Sequence, residues 1–462
     1  MKKSQAIGLV LCAVILTGMN FVPESIGLDR AGISTLGILI TIIIALVLEV
    51  LPLGVSCLLG ISLMVLFGAV PNLSTALSGY TSSILYLVLV TFGFSVAITK
   101  VPLSKRLMVF LIRLFNKKID HILLAVMVCA AVLSSIMSNT ATTAVLISVV
   151  LSFLGIYTDK EEERRSGKAF MIGLPIASMI GGGMTPAGCP INVIGLELLE
   201  QAGIRVTFVQ WMAVGVPVAA VSLLIAWKLT AVIFKPAPLS ESQIDAYIDS
   251  LHIPKKMTRK ERYVLIVIVT LFFLWILSSW IPVLNITVVG IVGFAFLFLP
   301  GYEVMTWREY TNNVSWTSFF LIGTMMSLGN ALVANGVSSW LVDLFFKNHI
   351  HAALPVTIAL ICLLVFLLLI PIPIGPVLAT MLGVPFLSLA GNWGISPVYL
   401  ILPLAICASC CFILPLDTVP LLTYSTGYYK MTDMPKISVI LQLCIVVLLT
   451  IWLPIVIPLI GF

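Results

Sequence analysis

The sequence predicts an all-α polytopic membrane protein arranged as an inverted repeat, with about 11 transmembrane helices, two re-entrant hairpins and two broken helices. Three observations carry that expectation. The 462 residues are 60% hydrophobic and 10% charged, and the apolar stretches are continuous rather than alternating. This excludes a soluble globular domain and a β-barrel. Two stretches are too long for one crossing and are interrupted near their centres by small polar residues or by Gly and Pro. The basic residues sit between the apolar runs, where they set orientation.

The same facts exclude function classes. The net charge of +6 belongs to connecting segments, so it is no nucleic-acid footprint. The nine cysteines (12, 57, 129, 189, 362, 407, 410, 411, 444) all lie in apolar runs and lack metal-ligand spacing. They read as small buried residues. The chain has no HExxH or GxSxG motif, and His252, His349 and His351 make no metal cluster. Nothing points to an enzyme or to a resident cofactor.

Met1-Lys2-Lys3 before an apolar run resembles a signal peptide, but no convincing cleavage site follows. Residues 6–22 therefore read as a first transmembrane helix with its N-terminus in the cytoplasm. Residues 32–50 return and 51–70 cross again; Glu49 at that turn caps a helix end or has a functional role. Residues 80–100 cross inward. Residues 102–118 mix Lys105, Arg106 and Arg113 with apolar positions, as in a short amphipathic surface helix.

Residues 125–157 contain no charge, yet Ser138-Asn139-Thr140 sits in their middle. Such polar groups are costly in an apolar run unless partnered. Lys117 and Lys118 precede the run, and Lys160, Arg164 and Arg165 follow it. Both ends then lie on one side, and each arm of roughly 15 residues reaches only ~23 Å. A re-entrant hairpin over 121–156 fits, with its tip at membrane depth inside protein or a wet cavity. A charged loop, DKEEERRSGK, follows.

Residues 168–200 form a broken helix, because IGGGMTPAGCPIN at 180–192 cannot be regular helix. Residues 210–233 return. The polar stretch 235–262 reads as a cytoplasmic linker between a first half, 1–234, and a second half, 263–462. In the second half 263–279, 288–300 and 317–334 are spans, and 336–346 suits a second surface helix. Residues 352–390 form a second hairpin around PIPIGP at 371–376. Residues 397–423 break at LPLDTVP, 414–420, and 437–460 is the last span. Of 25 Lys and Arg, only Arg30, Arg205 and Lys347 then fall outside.

The halves repeat one order: a span, an amphipathic piece, an over-long run broken at its centre, and a span broken by Gly or Pro. FSVAITKVPLSKRL (94–107) matches SLGNALVANGVSSWL (327–341) in size and spacing. The linker changes the starting side, so the copies are inverted, as in alternating-access transporters with a midplane site.

With LPLGVSCLLG, SNTAT at 138–142, IGGGMTPAGCPIN at 180–192 and SCCFILPLDTVP at 409–420 followed by TGYYKMTDM, the chain resembles the divalent anion/sodium symporter family over nearly its whole length. The resemblance implies a scaffold supporting a transport part of two hairpins and two broken helices. That part carries the anion as a rigid body, usually in a homodimer. A first sodium site is implied at Ser134, Ser138, Asn139 and Gly188. Substrate carboxylates are implied to meet Ser138, Asn139, Thr140 and Cys189, with Thr418 from the second break.

The second half departs from the family pattern. Gly375-Pro376-Val377 replaces the second Ser-Asn-Thr, and Pro371 lies four residues before it. Asp417 stands where the family has a small residue, and the family's final Asn is lost near Leu421. Three roles are open for Asp417: a cation ligand, a proton carrier, or an acceptor for freed backbone N–H groups. The expected function is sodium-coupled secondary transport of small anions, di- or tricarboxylates first, by an elevator-type movement in a bacterial plasma membrane. Sulfate carriage, proton coupling or sodium-independent exchange are alternatives. A non-transporting receptor or a channel is the alternative of another class.

Overall fold

The computed structural model describes residues 3–24, 27–48, 50–251, 253, 254, 256–281, 283–338, 340 and 353–462. Among these, all regular structure is helical. Glu49, His252, Lys347, His349, His351 and most of the 336–346 stretch lie outside the described residues.

The chain opens with α1 (Lys3–Gly18), α2 (Arg30–Val47), α3 (Leu53–Leu66) and a short α4 (Leu73–Ala76). Asp29 starts α2 by accepting from Gly32 N at 2.7 Å. Next come α5 (Ser83–Thr99) and α6 (Leu103–Leu114), bent by 69° at the break between them. α6 buries Met108, Val109, Leu111 and Ile112 and exposes Lys105 and Arg113, the amphipathic pattern expected of it.

α7 (Ile119–Ser134), α8 (Asn139–Leu154), α9 (Lys160–Gly182), α10 (Pro190–Gln201) and α11 (Phe208–Phe234) follow. The charged DKEEERRSGK segment was expected to be a loop and is instead the start of α9. Asp159 caps it through Glu161 N at 2.9 Å, and Glu161, Glu162 and Glu163 occupy its first turn. Carboxylates there offset the positive end of the helix, so high charge does not stop helix formation.

The expected linker also holds a helix, α12 (Glu241–Ser250), set by a Ser240–Gln243 capping box. Its apolar residues Ile244, Tyr247 and Ile248 are buried. The second half contains α13 (Arg259–Leu277), α14 (Ile286–Phe296), α15 (Trp307–Asn313) and α16 (Trp316–Ala334). It ends with α17 (Leu354–Leu368), α18 (Gly375–Trp393), α19 (Val398–Ser409), α20 (Thr418–Tyr424) and α21 (Pro435–Leu459).

By length and composition, five helices among the described residues can cross a membrane: α2, α11, α16, α18 and α21; the bent α5–α6 pair makes a sixth if it is one span. α7, α8, α17 and α19 are apolar but shorter. The protein is an all-helical polytopic membrane protein.

One packing pattern occurs twice. α9 lies against α7, α8 and α20. α19 lies against α17, α18 and α10. α20 also touches α8, as α10 touches α18. α11 and α21 pack on each other, each beside its own half's short helices. Each broken helix therefore has one segment beside its own half's pair and the other beside the opposite half's pair.

Polar contacts place the ends. Lys117, just before α7, pairs with Asp245 at 2.7 Å, and Tyr247 donates to Val149 O near the end of α8 at 2.9 Å. Both outer ends of the α7–α8 pair thus meet α12, so the pair folds back on itself. The same face holds Lys168–Asp433 at 3.0 Å, Lys436–Asp433 at 2.8 Å, and Tyr428 donating to Glu163 at 2.6 Å. These tie the start of α9 to the loop after α20. Partial burial opposes ionisation of Asp433, but bonds from Lys436, Lys430 N and Lys168 outweigh it and hold the carboxyl down to about 2. Arg106 on α6 pairs with the fully buried Glu261 of α13 and donates to Pro254 O at 2.6 Å. Removing one partner of such a pair costs about 3–5 kcal/mol, because a buried charge is stranded. On the opposite face, Gln201 donates to Asn330 at 2.9 Å and Gln210 to Ile460 O at 2.8 Å.

Candidate functional site

The site lies where helices stop and restart. α7 ends at Ser134 and α8 begins at Asn139; α9 ends at Gly182 and α10 begins at Pro190. Ser138 is the cap of α8, its Oγ accepting from Ala141 N at 3.3 Å. Its own N–H donates to Ser95 Oγ of α5 at 3.1 Å, which pins the tip from outside. Pro190 suits the first turn of α10, where no N–H is needed.

The two breaks interlock. Ser134 Oγ donates to Asn139 Oδ1 at 2.6 Å, closing the tip across its own turn. Thr185 Oγ1 donates to Ser135 O at 2.5 Å. Asn192 Nδ2 bridges Gly182 O at 2.7 Å and Thr185 O at 2.8 Å, so it holds the Gly-rich segment in its unwound path. Trp211 of α11 donates to Gly183 O at 3.1 Å. The carbonyls freed by the break are thereby partnered, as burial demands.

Glycine is required here by proximity. A Cβ on Gly182 would sit 2.2 Å from Asn139 Oδ1. One on Gly188 would sit 2.5 Å from Gly182 O and 2.8 Å from Ser134 O. Ser134 Oγ and O, Asn139 Oδ1 and Gly182 O therefore crowd one small volume. These neutral oxygen donors fit a hard cation such as sodium. Thr142, on the first turns of α8, is fully buried and its Oγ1 has no hydrogen-bond partner among the described residues.

Of the residues singled out in the sequence, Ser134, Asn139 and Gly188 are thus brought together, while Ser138 caps α8 beside them. Cys189, buried and at the start of α10, receives Ser409 Oγ at 3.8 Å from the second break. The same hydroxyl lies 3.4 Å from Asn192 Oδ1 and donates to Ala405 O at 2.9 Å. Thr140 is exposed on the first turn of α8. Thr418 is also exposed and donates to Asp417 Oδ1 at 2.9 Å. Asp417 caps α20, accepting from Val419 N at 3.2 Å. Of its three open roles, the backbone-bonding one is visible in the fold.

The second tip differs. α18 starts at Gly375 with no side-chain cap, and Pro376 follows. A Cβ on Gly375 would meet Ile191 Cδ1 at 2.5 Å and Ala408 O at 2.6 Å. Val377 is 1% exposed. The tip is closed by apolar contact where the first is closed by side-chain oxygens.

Ser95, Thr185, Asn192 and Ser409 were not singled out from the sequence. Thr185, Asn192 and Ser409 lie inside the motifs, yet their partners are up to 220 positions away. Ser95 lies in the apolar span before α6, within the 94–107 segment used for the repeat but not marked there as a polar contact.

A family profile described as the sodium:sulfate symporter transmembrane region matches residues 3–459. The chain belongs to this family. It is 25% identical to a sodium-dependent dicarboxylate transporter of Staphylococcus saprophyticus, over 94% of this chain and 88% of that protein. The identity and coverage are the same for the transporter of that name in Staphylococcus aureus. The family comprises membrane carriers rather than catalysts.

Proposed function

We propose that the protein is a sodium-coupled secondary transporter of small dicarboxylates. The cluster of Ser134, Asn139, Gly182 and Gly188 at the crossing of two helix breaks carries this reading. Sodium is held by the oxygens gathered there. The anion sits against the starts of α8 and α10, with Ser138, Asn139, Thr140 and Cys189 on one side and Thr418 on the other. Helix N-termini carry partial positive charge, which suits a carboxylate. Binding sodium first adds a full positive charge beside the anion and couples the two.

The doubled packing of α7–α11 and α17–α21 supports the inverted repeat, with α7–α8 and α17–α18 as re-entrant pairs and α9–α10 and α19–α20 as broken helices. About 11 crossings follow when each broken helix is counted once and the re-entrant pairs are left out: α1, α2, α3, α5, α9–α10, α11, α13, α14, α16, α19–α20 and α21. These paired elements move as one block against the remaining helices in an elevator-type cycle. The face of α12 and the ion pairs is the cytoplasmic side of a bacterial plasma membrane.

A second reading, sulfate or another small inorganic anion, draws on the apolar second tip. With one polar end, the site offers fewer partners to a second carboxylate. The test is uptake of labelled succinate by proteoliposomes. Saturable uptake driven by an imposed sodium gradient supports the dicarboxylate reading. Sulfate uptake under the same gradient, with succinate neither carried nor competing, replaces it with the second. No response to sodium for either anion overturns sodium coupling.

A further inference from the structure

The transport reading gives no use to the charge of Asp417. As the cap of α20, its Oδ1 accepts from Val419 N at 3.2 Å and from Thr418 Oγ1 at 2.9 Å. A neutral Ser, Thr or Asn would cap equally well. A carboxylate at membrane depth is costly, so its charge calls for a partner or a role. No partner is in place. Asp417 is the only charged residue between Val398 and Tyr429. Among the described residues none of the ion pairs includes it, and its hydrogen bonds all come from Thr418 and Val419 in its own turn.

Its position is beside the transport site. Asp417 is half-buried rather than enclosed, and Thr418 next to it is exposed. Its charge reaches the thiols of Cys189 and Cys411. Cys189 follows Gly188, so the carboxylate faces the oxygens of the first tip across the start of α10. No other charge is at that end of α20. α8, which packs on α20, has no titratable side chain. Those of α9 lie on its first turns, toward the far end of α20, where Lys168 pairs with Asp433 and Glu163 accepts from Tyr428. Tyr424 is on the last turn of α20.

We propose that Asp417 is a specificity-determining residue that reads the charge of the cargo: a dicarboxylate with both groups ionised is accepted only while Asp417 holds a proton, and that proton travels with it. This deepens the transport reading above and rests on it. The first tip receives one carboxylate, and the other reaches the second break beside Asp417. Two facing carboxylates repel, and protonating one removes the repulsion. A protonated Asp417 also donates an O–H, which supplies the partner that Gly375-Pro376-Val377 lacks. The proton joins the carboxylate from water on the loading side and leaves to water on the other side; no other bond changes.

The experiment compares sodium-driven uptake of labelled succinate by proteoliposomes of the wild type and of Asp417→Asn between about pH 5.5 and 8. The ionisation of succinate itself is common to both, so the difference between the two proteins is the readout. The wild-type KM should climb with pH more steeply than the variant's, by up to about tenfold per pH unit, the limit for one linked proton. Asp417→Glu should restore the steeper climb, which a purely capping role does not predict. Parallel profiles overturn the proposal. If Asp417→Asn does not fold, Asp417→Ser, also a neutral cap, replaces it. Uptake absent from every protein is a failure of the transporter reading instead. The same comparison is then made by equilibrium dialysis of labelled succinate against the solubilised full chain in sodium buffer. Tighter binding by Asp417→Asn than by the wild type at the alkaline end upholds the charge reading, and equal or absent binding overturns it.

Discussion

The two tips share a packing frame and differ in chemistry. In the first, Ser134, Ser138 and Asn139 close the turn with oxygens, and Gly182 lies against Asn139 Oδ1. In the second, Gly375 lies against Ile191 Cδ1 and Ala408 O, and Val377 is buried. Each tip abuts a broken helix through a glycine too tight for a Cβ. The frame therefore needs close backbone approach in both halves, but of the two tips only the first is closed by side-chain oxygens among the described residues. One packing frame can serve two different tip chemistries, because helix packing and polar contacts use different side chains.

The largest effect expected from breaking this asymmetry is at Asn139. On the proposed transport reading, Asn139→Ala should lower sodium-driven uptake at least about 100-fold, because the side chain is proposed to face both sodium and the anion. Thermal unfolding in detergent should show the fold retained. Uptake at the wild-type rate would make the first tip structural like the second.

The glycines sharpen the comparison. Gly182→Ala and Gly375→Ala should each cost about 1–3 kcal/mol by overpacking. Gly182→Ala should also raise the sodium concentration needed for half-maximal uptake, because its Cβ displaces Asn139 Oδ1. Gly375→Ala should leave that concentration unchanged. Equal shifts in both would show that the second tip also holds an ion.

The smallest effects should come from the caps of α8 and α20. Ser138→Ala and Asp417→Ala should each cost about 1 kcal/mol, read as a shift in the unfolding midpoint. Asp417→Asn keeps the accepting oxygen and should be near neutral for stability, while altering the pH or sodium dependence of uptake. An unaltered profile leaves capping as the whole role of Asp417.

The membrane class and the first break were legible in the sequence, and the second break was expected at 414–420 but begins earlier, after Ser409, with helix resuming at Thr418. The legible features follow from hydropathy, from Gly and Pro, and from where charge is placed, which are local properties. The amphipathic α6 was legible for the same reason. The start of α9 was expected to be a loop, and α12 is a helix within the expected linker that its polarity did not announce. Both are polar, but each begins with a good cap, Asp159 or Ser240, and capping with dipole-matched charge outweighs polarity.

The candidate site was legible as a list of residue types and not as a geometry. Ser138-Asn139-Thr140 and the glycines of 181–188 stood out because polar and flexible residues are costly at membrane depth. That Ser134 closes on Asn139, that Asn192 fastens the unwound segment, and that Ser409 reaches across from the other half were decided by tertiary structure. Those contacts run from 5 positions apart, Ser134 to Asn139, to 220, Ser409 to Cys189, and no periodic pattern encodes the pairing. The sequence by itself determined which residues need partners; only the packing of the two halves decided which partners they have.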